Sequence, residues 1–459
     1  MASIAGISHA KNKNEVLEII QKTAHRGKDH QKVLEHENTI LASAWHEIEK
    51  TTPPLFASQT VWDGFIPPSL EPQALARWKK PFAIAALLPQ GLFIARDPLG
   101  VKPLYYSENS NGLSFASEVK GLLTVSADIH EFPPGHYYTP QSGFQKFTEL
   151  ERTTWIQKSP DEITHELRER INTAIARRIL TDTMGVWLSG GVDSSVIATL
   201  ASKQVPKLIS FCIGVKGSTD LEYGQAVAKH LNLDHHSYIA TLEELLKVLP
   251  TVIYTLESFD ALLVRSSITH YIISKIASDY VEAIFTGEGG DELFAGYSYM
   301  REIPLEKLPE SLNEAVSSLH NTAFQRVDRC ATSAGLLPLF PFADLDVVSY
   351  ALSIPPQYKL YRQGNQLIEK WILRQTIAGQ IPDHVLWRPK TKFWQGTGLK
   401  ELLSEYAETK ISDSEFQRQK VLPNGLHLIS KEELMYYQIF KEFFGKAKSL
   451  DWFGRTKYR

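Results

Sequence analysis

The sequence predicts a mixed α/β and α+β chain, with packed antiparallel sheets first and a parallel sheet covered by helices after them. Two textures carry this expectation. Residues 1–140 contain short alternating apolar runs (TILASAWHEI, FAIAALL, GLFIAR, PLYYSE, LSFASE) broken by Gly, Pro and Asn. Period-2 alternation of this kind marks half-buried strands of an antiparallel β-sandwich. From residue 160 onward, 3.6-periodic stretches such as DEITHELRERINTAIARRIL alternate with β-rich runs such as LISFCIGV and EAIFTGE. That alternation implies parallel strands with ligands bound at their carboxyl ends. The polar, turn-prone region between about 140 and 160 separates the textures, so the expected domains are residues 1–150 and 151–459.

Composition narrows the class. A chain of 459 residues with 43% apolar and 22% charged residues has room for two or three globular domains. A net charge of −3 gives no electrostatic reason to expect nucleic acid. The two cysteines, Cys212 and Cys330, lie in no CxxC or metal-ligand spacing, which argues against a disulfide framework and for a reducing compartment. The first twenty residues lack an apolar core preceded by positive charge, and no window approaches the roughly 18 apolar residues of a membrane span. A cytoplasmic protein with no membrane partner is expected.

The chemistry begins at SGGVDSS, residues 189–195, between the apolar run MGVWL and the helix-like VIATLASK. A strand that feeds glycines and hydroxyls into a helix N-terminus is a phosphate cradle, because free backbone N–H groups and the positive end of the helix dipole face the anion. Leu188, Ser189, Gly190, Gly191, Val192, Asp193, Ser194 and Ser195 are the expected nucleotide contacts. No GK[ST] follows, so this is not the Walker pattern. Asp193 would repel a polyphosphate unless a divalent cation lay between them, which predicts Mg²⁺. IFTGEGGDELFAGY, residues 284–297, repeats the grammar and crowds Glu288, Asp291 and Glu292 together, where they raise one another's pKa. Asp291 can complete the metal site begun by Asp193, and Thr286 and Gly287 stand beside the nucleotide.

SGGVDSS resembles the PP-loop of ATP pyrophosphatases, and the two segments together resemble the synthetase domain of the asparagine synthetase family, where SGG[LV]DSS is followed by SGEGxDE. The resemblance implies ATP and Mg²⁺ as cofactors, with Ile213 in LISFCIGV packing against adenine. It also implies Asp260 and Arg265 in LESFDALLVRSS, Lys370 in QLIEKWILR and Tyr297 as candidate substrate contacts. Lys390 in WRPKTKFWQGTG takes the place of the phosphate-binding lysine. The attacking amine must lose a proton, and Glu288, or a tyrosine near it, is the candidate base. Upstream, HRG, ARDPLGVKPLYY, SFASEVKGLL and FPPGHYY look like the family's Ntn-hydrolase-like glutaminase domain.

Departures from the family shape the functional expectation. The glutaminase nucleophile is an N-terminal cysteine, and Ala2 stands at that position. A methyl group cannot attack an amide. LASAWHEIEK holds no arginine where the family has an arginine loop, and the NGEIYNH segment survives at most as WDGF. In the synthetase half, Leu262 and Leu263 replace a threonine pair, while Leu337 and Leu339 replace a Glu and an Arg. Leucines supply no charge-assisted bonds to a small acid.

The expectation is an AMP- and pyrophosphate-forming carbon–nitrogen ligase that adenylates a small-molecule or peptide carboxylic acid other than aspartate. The amine would be ammonia, free or delivered by a partner protein, or an amine of the substrate. A homodimer is compatible with this reading. The alternatives are an intramolecular cyclase of the β-lactam synthetase or lasso-peptide type, an asparagine synthetase with its nucleophile replaced at Ala2, a PP-loop sulfurtransferase and a non-catalytic nucleotide-binding scaffold.

Overall fold

A computed structural model describes residues 1–48, 55–110, 112–148, 154–388 and 399–456. Its amino-terminal part holds two antiparallel sheets. Ala2–Ile7 lies in a six-stranded sheet between Thr39–Trp45 and Gly112–Ala116. Phe82–Leu88 and Gly91–Arg96 centre the five-stranded second sheet. Ile4, Leu41 and Phe115 of the first sheet meet Val61, Ala85 and Ile94 of the second in one fully buried cluster. The alternation read in the sequence thus becomes a sandwich, since inward-facing residues of both sheets share one core.

The carboxy-terminal part holds a five-stranded parallel sheet. Its spatial order is Asp234–Ile239, Lys207–Gly214, Thr183–Trp187, Ala283–Phe285 and Leu337–Leu339. From the central Thr183–Trp187 the chain first steps outward on one side, then returns to add strands on the other. Reversal of strand order opens a crevice at the carboxyl ends, and here both glycine turns emerge beside it.

Helices close the sheet. Pro160–Ala176 starts at a capping box in which Ser159 and Glu162 satisfy each other's backbone N–H, with proline at its first position. Ala261–Ala277 is capped by the Asp260 carboxylate, which accepts from Leu263 N at 2.9 Å. No helix among the described residues is long and apolar enough to cross a membrane. Cys212 and Cys330 are both free and buried.

Candidate nucleotide site at the strand switch point

Strand Thr183–Trp187 runs directly into Leu188, Ser189, Gly190 and Gly191, and helix Val192–Ala201 follows with every residue buried except Asp193. Gly190 adopts φ +69, and a side chain there would meet the Tyr223 backbone carbon at 2.4 Å. Only glycine combines that conformation with that approach. Ser194 Oγ donates to Gly191 O at 3.0 Å, and Ser189 Oγ lies 3.2 Å from Ser194 Oγ, so the hydroxyls ring the helix N-terminus.

The second turn lies against the first. After strand Ala283–Phe285, a Cβ built on Gly290 would fall 2.4 Å from Asp193 Oδ1. Absence of a side chain at 290 therefore lets Asp193 and Asp291 converge. Between them stands Lys370, whose Nζ is 2.5 Å from Asp193 Oδ2 and 2.5 Å from Asp291 Oδ1. Neither Lys370 nor Glu369 is on a helix: strand Gln366–Glu369 ends there, Lys370 takes φ +55, and Trp371–Gln375 begins after it. Glu369 pairs instead with Arg301 at 2.7 Å and Arg374 at 3.0 Å.

A cavity of about 270 Å³ joins these groups. Leu188, Ser189, Gly191, Val192, Asp193 and Ser194 line it from the first turn, and Thr286, Gly287, Glu288 and Asp291 from the second. Ile213, Tyr297 and Lys370 also reach it, whereas Gly190 and Ser195, also expected as nucleotide contacts, do not line it. Glu288 is ion-paired to Arg326. Burial, with Asp291 adding, pushes the Glu292 carboxyl up to about 7 against the hydroxyl of Tyr297, which donates to it at 2.5 Å. His270 stacks on Trp187 at 5.2 Å, and burial followed by Arg326 keeps its pKa well below the ordinary histidine value.

Several expected residues land elsewhere. Asp260 is spent on the cap of Ala261–Ala277 and on Thr456, and Arg265 pairs with Glu432 and donates to Ser404 at 3.0 Å, so neither lines the cavity. Leu262 and Leu263 do line it. Leu337 and Leu339 belong to the outermost strand of the parallel sheet and are buried there, so their apolar character reflects sheet packing and says nothing about the acid substrate. Lys390 lies outside the described residues.

The structure adds Arg326, Arg374 and Arg388 to the wall. Arg388 donates to Ser189 O at 3.3 Å and pairs with Asp220 at 2.6 Å, holding the first turn from behind. The WRPK lead-in was a signal for Arg388. Nothing in the sequence around Arg326 pointed to the cavity.

Around Ala2 a buried ion network links the amino-terminal part to helix Ala323–Ser333. Ala2 N donates to Asp63 Oδ1 and Arg26 Nε to Ala2 O, both at 2.9 Å. Arg26 then pairs with Asp63 at 2.6 Å and with Asp328 at 2.7 Å, and Lys102 pairs with Asp328 at 3.0 Å. Arg329 joins Glu118 at 2.5 Å and Glu257 at 2.9 Å. Burial would raise the Asp63 carboxyl, but Lys102 and Arg26 hold it far below the usual range.

A model of the asparagine synthase family matches residues 166–323 and 306–458, well over half of the chain. The chain belongs to the asparagine synthase family. A glutamine amidotransferase domain model matches residues 73–166 of this asparagine synthase family member, downstream of Ala2, Arg26 and Asp63.

The chain is 30% identical over 392 residues to asparagine synthetase [glutamine-hydrolyzing] 1 of Arabidopsis thaliana, covering 79% of this chain and 66% of that protein. It is 32% identical to a probable asparagine synthetase [glutamine-hydrolyzing] of Dictyostelium discoideum, over 76% of this chain and 69% of that one. The chain thus spans about two thirds of the length of the curated relatives it matches. Among solved structures, an NH3-dependent NAD synthetase of Campylobacter jejuni aligns at 13% identity and TM-score 0.28 over 64% of this chain and 98% of its own, a likeness too slight to bear on function.

Proposed function

We propose that this asparagine synthase family member is an ATP-dependent amide synthetase that activates a carboxylic acid as its acyl-adenylate. The observation that carries the reading is the convergence of Asp193 and Asp291 from two glycine turns at the strand switch point, beside a helix N-terminus open to phosphate. Among the described residues no cluster of three His, Cys, Asp or Glu could hold a metal by itself. Two carboxylates suit Mg²⁺, which takes its remaining ligands from water and substrate phosphates. When bound, the ion would neutralise charge on the departing pyrophosphate.

The chain's own residues account for the rest. Ser189, Ser194 and the N–H groups at the start of Val192–Ala201 receive phosphate oxygens, and Ile213 packs beside the base. A carboxylate oxygen of the acid attacks the α-phosphorus, the bond to the β-phosphate breaks, and pyrophosphate leaves. Lys390 stabilises negative charge on the α-phosphate and on the tetrahedral intermediate. An amine then attacks the acyl carbon and loses its proton to Glu288, and AMP departs.

Leu262 and Leu263 on the cavity wall support an acid with an apolar body in place of aspartate. The buried ion network around Ala2 supports an amino-terminal domain that is a structural partner and not a glutaminase. The nitrogen then comes from ammonia or from an amine on the substrate.

ATP–pyrophosphate exchange with Mg²⁺ across a panel of acids, without added amine, tests the reading. Exchange with a bulkier acid and none with aspartate is expected. Exchange with aspartate alone would return the protein to asparagine synthesis, and silence with every acid would leave a nucleotide-binding scaffold.

A further inference from the structure

Three observations single out Lys370. Its ammonium is 2.5 Å from each of the two carboxylates expected to hold the divalent cation, with 1% of the side chain exposed. Its backbone is held at φ +55, a left-handed conformation that a non-glycine residue adopts at a cost met by the surrounding structure. Gly296 makes room for the cluster, since a Cβ there would lie 2.1 Å from Lys370 Cε and 1.9 Å from Asp291 Oδ1. Backbone, neighbouring turn and side chain thus all place one positive charge between Asp193 and Asp291.

We propose that Lys370 is the resident counter-cation of this site, holding Asp193 and Asp291 together and refusing a bare divalent ion, so that the metal is admitted only with its nucleotide. The inference rests on the reading of the site as one for metal-bound ATP. Two carboxylates and one ammonium leave a single negative charge. A bare dication would have to sit against a buried like charge or displace it from both of its carboxylate partners. A triphosphate brings its own negative charge, and the flexible lysine stem can turn the ammonium from the carboxylates to phosphate oxygens. Lys370 is therefore a positioning residue that sets the order of binding.

Mn²⁺ titration of the nucleotide-free protein, followed by the EPR signal of the free ion, tests this without any turnover. Lys370→Gln should bind Mn²⁺ alone at least about tenfold more tightly than the unsubstituted protein, because a like charge beside the ion is gone. Lys370→Arg keeps the charge and should stay at the unsubstituted affinity. Unchanged or weaker binding by a folded Lys370→Gln protein would overturn the proposal. Should that variant fail to fold, the unsubstituted protein still decides: submillimolar Mn²⁺ binding without nucleotide overturns it, and weak binding supports it. A separate titration with α,β-methylene ATP reads nucleotide binding itself, so failure of the ATP reading stays distinguishable from failure of the Lys370 assignment.

Discussion

At the scale of single residues, the site depends as much on what is missing as on what is present. Asp193 can face Asp291 only because position 290 carries no side chain. Gly290 is not among the residues with positive φ, so its backbone accepts alanine, and the new methyl group collides with the Asp193 side chain. Gly290→Ala should therefore melt within a few degrees of the unsubstituted protein while pyrophosphate exchange falls at least about tenfold, as displacement of a catalytic group by an ångström does. Exchange at the original rate would show that the facing of the two carboxylates is not needed. The same logic accounts for Asp260 and Arg265. Both are polar residues near the right segment, but one is consumed by a helix N-terminus and the other by Glu432.

At the scale of elements, helix Ala323–Ser333 joins the two parts of the molecule. Its Asp328 and Arg329 are fully buried, and they pair with Arg26, Lys102 and Glu118 of the amino-terminal part. Arg326, one turn away, reaches the cavity and Glu288. Removal of one member of a buried ion network leaves its partners charged and dry, at a cost of about 3–5 kcal/mol. Asp328→Asn should lower the free energy of unfolding in urea by that amount, because Arg26 and Lys102 lose their shared carboxylate. A loss under about 1 kcal/mol would show that water or rearrangement already satisfies these cations. Because the helix touches both the network and the cavity, it ties the amino-terminal part to the wall of the candidate nucleotide site.

At the scale of the whole molecule, a second contact between the parts makes stability depend on pH. Glu131 of the amino-terminal part pairs with Arg96 at 2.8 Å and with His320 at 2.6 Å. Burial alone would raise this carboxyl, but His320 and Arg96 hold it at about 2, below its ordinary 4.5. As pH falls, the unfolded chain takes up the proton first, so the stability contributed by Glu131 is complete above about 4.5 and is lost between there and about 2. Glu131→Gln should flatten this acid limb in thermal melts run from pH 5 to pH 2.5. An identical slope in both proteins would place the acid sensitivity elsewhere.

The sequence alone determined the two textures, the parallel sheet and both glycine turns, because each depends on local periodicity or on a backbone conformation that few residues allow. It also marked Asp193, Asp291 and Glu288 as neighbours of one site, since strands followed by glycine turns deliver them to the carboxyl ends of such a sheet, whereas Ile213 was named only by the family resemblance. Tertiary structure alone decided which charges meet. Lys370 lies 177 positions from Asp193 and Arg26 lies 302 from Asp328, and no local pattern records those pairings. Leu337 and Leu339 looked like altered substrate contacts and proved to be an outer strand of the sheet, because a buried strand and an apolar pocket wall ask for the same side chains. Apolar residues are specified by the environment they share with many positions, whereas an ion pair exists only where the fold brings two particular residues together.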